Sequence, residues 1–251
     1  MLYRHFILSL LFVVAIGKPA FSQQHRVSAD KQGDLLFSDD FSQGLKNWWI
    51  EGGGQVWIND GRLYVKAVGP KRASMYVSTV WCKSAFPGDV RIELDARVLS
   101  SPNNANNINM FLSFTDPGGA PLFESRQERK TGKYSLYHQL NGYIFTYLND
   151  AQKGNESISV NPAPARFRFR RCPGFHLILE KFAYHCQKGK TYHITVTKKG
   201  NRLTYGVDGK VYLDAKDDNP LNGGFFGLRT YSTFLWWDNI KIFKVDQGAR
   251  Q

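Results

Sequence analysis

Apolar and polar residues alternate along this chain with a period of two. Val90, Ile92, Leu94, Ala96 and Val98 fall on one side of a run whose other side is Arg91, Glu93, Asp95 and Arg97. Ile108, Met110, Leu112 and Phe114 repeat the period. It belongs to extended strands, because successive side chains of a strand point to opposite faces. Further strands are predicted over 142–148, 166–171, 191–198, 202–207, 210–214, 225–230 and 234–244. Trp57 to Val65 reads as a hairpin with Asp60-Gly61 at its turn, and Lys199-Gly200-Asn201 and Asp208-Gly209 join later strands into a meander. No segment sustains a helical period. Residues 121–133 read as one short surface helix or a charged loop, 149–165 as a loop and 101–107 as an Asn-rich turn. About a dozen short strands with alternating faces predict an all-β fold, a two-sheet antiparallel jelly-roll sandwich.

The first residues do not belong to that pattern. Arg4 precedes an uncharged apolar run from Phe6 to Ile16, and Ala20 and Ser22 occupy the small-residue positions of a cleavage site. A run of 11 residues is too short to cross a bilayer, which takes about 20. The expectation is therefore a signal peptide over 1–22, a flexible polar segment over 23–34 and one domain over 35–246, with no membrane span. Export to the periplasm or the extracellular space follows. At 42% hydrophobic residues and only three cysteines in 251, neither a disordered chain nor a small disulfide scaffold is expected.

Charge then narrows the partner. Lys and Arg total 33 against 21 Asp and Glu, and with Arg4 and Lys18 lost in the leader, +10 of the formal +12 remains. A protein this basic meets an anionic partner. Outside the cytoplasm that points away from nucleic acid and toward an acidic polysaccharide or oligosaccharide, met by a monomer.

Several segments carry a family likeness. Leu36-Phe37-Ser38-Asp39-Asp40-Phe41, Asn47-Trp48-Trp49 and Asp60-Gly61-Arg62-Leu63 near the start, with Gly223 to Leu228 and Trp237-Asp238-Asn239-Ile240 near the end, resemble the concanavalin A-like lectin/glucanase superfamily. Thr79-Val80-Trp81, Tyr137 to Tyr143 and Arg166 to Phe175 resemble its YesU-like group. The resemblance spans roughly Leu35 to Val245 and implies the sandwich fold and a glycan-related role. It also implies where a structural calcium would sit, on Asp39 or Asp40 with Asp238, although no cofactor is required. Glycoside hydrolases of this fold place Glu-x-Asp-x-Glu on one strand face. Here Glu93-Leu94-Asp95-Ala96-Arg97 ends in a guanidinium that can neither give nor take the proton, so a retaining site is not expected. The chain has no G-x-S-x-G elbow, H-E-x-x-H or phosphate loop. Of Cys82, Cys172 and Cys186, the pair Cys172–Cys186 closes the shorter loop and is the expected disulfide if one forms.

Two constellations carry candidate chemistry. In a strand, Phe167 and Phe169 point one way while Arg166, Arg168 and Arg170 line the other face, about 7 Å apart. Arginine forks bind carboxylates at two points, which suits a uronate; the bland alternative is neutralisation by acids on neighbouring strands. The second constellation is Tyr134, Tyr137, His138, Asn141 and Tyr143. Aromatic faces stack on sugar rings, and His138 titrates near neutrality. Together they suggest β-elimination, with His138 or Tyr143 moving the proton and Arg166, Arg168, Arg170, Asn141 and Tyr137 holding the substrate and its developing negative charge. A polysaccharide lyase, or a glycoside hydrolase of unspecified mechanism, competes with a non-catalytic carbohydrate-binding protein of the same fold.

Overall fold

Burial follows the alternation. In the strand Val90–Ser100 the even-numbered residues from Val90 to Val98 are buried and the odd-numbered ones only partly so. A computed structural model describes residues 32–68, 76–101, 105–149 and 165–246. The expected leader and most of the polar segment after it lie outside the described residues, as does most of the expected 149–165 loop.

Fifteen strands are described: β1 (Gln32–Asp39), β2 (Trp48–Gly52), β3 (Gln55–Asn59), β4 (Arg62–Lys66), β5 (Val77–Pro87), β6 (Val90–Ser100), β7 (Ile108–Thr115), β8 (Asn141–Leu148), β9 (Ala165–Cys172), β10 (His176–Ala183), β11 (Thr191–Lys199), β12 (Arg202–Val207), β13 (Lys210–Lys216), β14 (Gly223–Tyr231) and β15 (Phe234–Val245). They form two antiparallel sheets. Sheet A runs β13-β12-β11-β6-β15-β4-β3, and sheet B runs β10-β9-β8-β7-β14-β5-β2. β15 serves two partners end to end, with β4 on Phe234 to Trp237 and β1 on Ile240 to Val245. β1 starts at Gln32, inside the segment expected to be flexible, because Gln32 pairs with Val245.

The sheets share one inner core, to which β6 gives Ile92 and Leu94, β8 Tyr143, Phe145 and Tyr147, and β9 Phe167 and Phe169. Sheet B has a second apolar layer on its outer face, where Trp49, Trp81, Phe111 and Ile144 lie under Leu122, Tyr137 and Leu140. The covering chain is the connection between β7 and β8. Read as a short surface helix or a loop, it contains a 3-10 turn (Glu124–Arg129) and a four-residue helix, α1 (Tyr134–Tyr137). The edge strand β10 was not expected. Leu177, Ile178 and Leu179 run together there without alternation, and a bulge shifts its register between Leu177 and Leu179. The three cysteines are buried and free; Cys172 lies in the outer layer and Cys186 in the inner core, which corrects the expected disulfide. Among the described residues no helix is long and apolar enough to cross a membrane.

Candidate functional site

The register of sheet B sets one polar row straight across all seven strands. Glu51 pairs with Thr79, Thr79 with Arg229, Arg229 with Asn109, Asn109 with Thr146, Thr146 with Arg168, and Arg168 with Glu180. Two residues further along each strand lies an apolar row, Trp49, Trp81, Gly227, Phe111 and Ile144, ending at Arg170. Gly227 is needed there because an added Cβ would stand 2.6 Å from the Trp81 ring. Both rows face outward.

At the β2 end the polar row is closed around one carboxylate. Glu51 Oε1 accepts from Trp49 Nε1 at 3.2 Å and Arg129 Nη2 at 3.0 Å. Its Oε2 accepts from Trp81 Nε1 at 3.0 Å, Tyr137 Oη at 2.9 Å and Arg129 Nε at 3.3 Å. Both charged side chains are almost wholly buried, at 1% and 3% exposure. The next cation, Arg229, donates to Thr79 Oγ1 and to the Gly132 carbonyl and lies against the rings of Tyr134 and Tyr137. These bonds clamp the β7–β8 connection onto the sheet.

At the other end β9 presents its arginines. Arg166, Arg168 and Arg170 stand together on the outer face, opposite Phe167 and Phe169, as the alternation requires. Glu180 is the one carboxylate ion-paired to them among the described residues, with its Oε2 at 3.5 Å from Arg166 Nε and 3.8 Å from Arg168 Nη1. Arg170 donates to the Phe175 carbonyl at 2.9 Å and lies 4.1 Å from the centre of the Phe175 ring. The Nε atoms of Arg168 and Arg170 are buried with no hydrogen-bond partner. Burial first, then the adjacent Arg170, pushes the Arg168 guanidinium below its ordinary pKa.

The predicted site residues divide between the two faces. His138 joins the arginines, with its ring stacked on Phe175 at 3.8 Å and its Nε2 buried and unpartnered. Burial, then Arg229 and Arg170, push it down to about 4, so near neutrality it is an uncharged and weak base. Tyr134 also lies here, its hydroxyl accepting from Asn109 Nδ2 at 3.4 Å, and burial raises its pKa. Tyr143 does not belong to this group. It faces the inner core, donates to Asp217 Oδ2 at 2.6 Å and accepts from the Leu221 amide, because an odd-numbered residue of β8 shares the face of Phe169 and not that of Arg168. Tyr137 is likewise removed, since it is fully buried with its hydroxyl on Glu51. Asn141, at the start of β8, donates to Thr115 Oγ1 at 3.3 Å. Asn109, Phe175 and Glu180 were missed. Asn109 was visible as a polar residue between Ile108 and Met110, whereas Glu180 sits on the strand that carried no alternation.

With this geometry in view, comparison with known proteins places the chain. The family model for a domain of unknown function, DUF6250, matches residues 74–240. The chain belongs to that family. This DUF6250 chain is similar to the uncharacterized protein YesU of Bacillus subtilis (strain 168), with 22% identity over 200 residues, 77% of this chain and 85% of YesU. Among solved structures, a Bacillus subtilis protein of unknown function with a galectin-like fold superposes with a TM-score of 0.69 at 20% identity, covering 85% of this chain and 97% of that one. The carbohydrate binding module CBM66 from Bacillus subtilis gives 0.52 at 14% identity, covering 79% and 96%. The VIP36 exoplasmic/lumenal domain in its Ca2+/Man3GlcNAc-bound form gives 0.58 at 14% identity, covering 86% and 92%. These likenesses establish a galectin-like sandwich and YesU kinship for this DUF6250 chain.

Of the residues expected to hold calcium, Asp40 is exposed and accepts from the Ser42 amide, while the other two are engaged in the fold. Asp39 Oδ1 accepts from the Phe41 amide, and its Oδ2 accepts from Asn47 Nδ2 and Trp48 Nε1, so it secures the β1–β2 connection. Asp238 lies 3.5 Å from Arg62 and accepts from the Asn239 amide. Among the described residues no group of three or more His, Cys, Asp or Glu could hold a metal ion.

Proposed function

We propose that this protein is an exported carbohydrate-binding protein that takes an acidic, uronate-containing saccharide on the β9–β10 part of sheet B. The observation that carries the reading is the neighbouring, part-exposed guanidiniums of Arg168 and Arg170 on one face with His138 and Tyr134, with Glu180 the one carboxylate ion-paired to Arg168 among the described residues. A carboxylate accepting from these guanidiniums relieves the repulsion between them. Tyr134 borders the sugar ring as an aromatic wall, and the neutral His138 offers a hydrogen bond to a hydroxyl. The lectin-like neighbours support a saccharide as ligand, and the leader at Met1 to Ser22 supports an encounter outside the cytoplasm.

Binding fits this geometry better than elimination. A lyase needs a base matched to its working pH. Here His138 is pushed down to about 4 by burial and its arginine neighbours, Tyr134 is pushed up by burial, and Tyr143 is on the wrong face. The test is titration with oligogalacturonate, oligomannuronate and a neutral glucan, monitored together by calorimetry and by ultraviolet absorbance. Heat of binding with the acidic sugars alone and no absorbance change is the expected result. Growth of unsaturated-uronate absorbance would replace the binding reading with the lyase, and equal affinity for neutral glucan would end the acidic assignment.

A further inference from the structure

Exposure along the polar row of sheet B changes in one step. Glu51, Thr79, Arg229, Asn109 and Thr146 are each at most 4% exposed, whereas the side chains of Arg168 and Glu180 are 15% and 28% exposed. The apolar row behaves alike, buried from Trp49 through Ile144 and opening only at Arg170. In these two rows, open ground on this face is therefore a strip two strands wide at the edge of the sheet; in the next row Arg166 is buried. A saccharide chain cannot cross the other five strands, because the β7–β8 connection lies on them.

That cover is built in. It is held by the buried Glu51–Arg129 pair, by Arg229 on the Gly132 carbonyl and by the Gly52 amide on the Lys130 carbonyl. The backbone approaches so closely that a Cβ added to Gly132 would stand 2.8 Å from the Gly52 Cα.

The strip also has a closed end. The ring of Phe175 has His138 stacked at 3.8 Å and the Arg170 guanidinium at 4.1 Å from its centre. Two groups that near one ring centre must occupy its opposite faces, so Phe175 is wedged between them. Tyr134 meets Phe175 edge-on at 5.3 Å. The Gly174 amide donates to the His138 carbonyl at 2.9 Å and Arg170 donates to that of Phe175, which ties the β9–β10 turn to the cover.

Resting on the acidic-saccharide reading above, we propose that the site recognises the end of an acidic chain and not its interior. The terminal sugar sits against the Phe175–His138–Tyr134 corner with its carboxylate on Arg168 and Arg170. The following sugars lead away over the edge strand β10, because Arg166, next along β9, is buried. An internal segment would have to pass through the corner or over the clamped connection.

Calorimetric stoichiometry tests this on the full mature chain, with mono-, di-, tri- and hexagalacturonate and a long polygalacturonate of known mean length. The expected result is one protein per saccharide chain at every length, with affinity per chain levelling off once the strip is filled. A number of bound proteins that grows in proportion to chain length would overturn end recognition and leave the acidic-saccharide reading standing. Failure of every galacturonate to bind, with oligomannuronate also silent, would overturn that reading and this inference with it.

Discussion

The two halves of the outer face of sheet B use the same residue types to opposite ends. On the β2 half, Arg129 and Arg229 are buried and hydrogen-bonded to Glu51, Thr79 and main-chain carbonyls, and aromatic rings close over them. On the β9–β10 half, Glu180 is the one carboxylate ion-paired to Arg166 and Arg168 among the described residues, and Arg170 donates to the Phe175 carbonyl. Burying an arginine is tolerable only when its donors and its charge are answered. The first half answers them internally and becomes structure. In the second, on the proposed reading, a ligand answers Arg168 and Arg170. The contrast teaches that arginine content alone does not mark a binding face; the count of acceptors within reach does.

Substitutions can break this contrast. The largest effect is expected from Glu51→Gln, which leaves the Arg129 guanidinium buried without a counter-charge and should destabilise the fold by about 3–5 kcal/mol in urea unfolding. A loss below about 1 kcal/mol would show that this carboxylate does not hold the cover. Next is Arg168→Ala, expected to weaken binding of acidic oligosaccharide about 10- to 100-fold, as for a lost charged hydrogen bond. Its urea midpoint should stay nearly unchanged, and a fall in stability as large as that for Glu51→Gln would erase the distinction between the halves.

A smaller effect is expected from pH. Burial holds His138 neutral down to about 4, below the 6.5 of an ordinary histidine. Between those values the unfolded chain binds the extra proton, so stability is full above about 6.5 and falls as the pH drops toward about 4. Urea midpoints across that window should fall less steeply for His138→Gln than for the natural chain, and identical slopes would place His138 in open solvent. The smallest effect is expected from Glu180→Gln. Removing the one carboxylate ion-paired to Arg166 and Arg168 among the described residues should raise affinity for acidic saccharide a few-fold, in keeping with about 0.2–1 kcal/mol for a part-exposed ion pair. Weaker binding instead would mean that Glu180 itself touches the sugar.

Much of the fold was legible because alternation is local. The expected strand 202–207 matches β12, 166–171 lies within β9, and the split of Phe167 and Phe169 from the three arginines follows from strand geometry alone. The site was legible only in part. That Tyr143, Phe145 and Tyr147 share a face could be read, but not that this face is shared with Phe169. The pairing of Thr146 with Arg168 decides it, and 21 residues separate the two in sequence. Arg129 looked like one more charge in a polar stretch until Glu51, 78 residues earlier in the chain, met it. Asp39 looked like a metal ligand because its partners, Phe41, Asn47 and Trp48, reach it only once the β1–β2 connection closes.

From its sequence alone this protein determines where strands lie and which of their residues oppose one another, since that information is carried within about two residues of each position. Which half of the outer face of sheet B is covered, which arginines find acceptors and which tyrosines stay accessible were decided by register and by the path of the β7–β8 connection. Those depend on contacts between residues distant along the chain, and no local period encodes them.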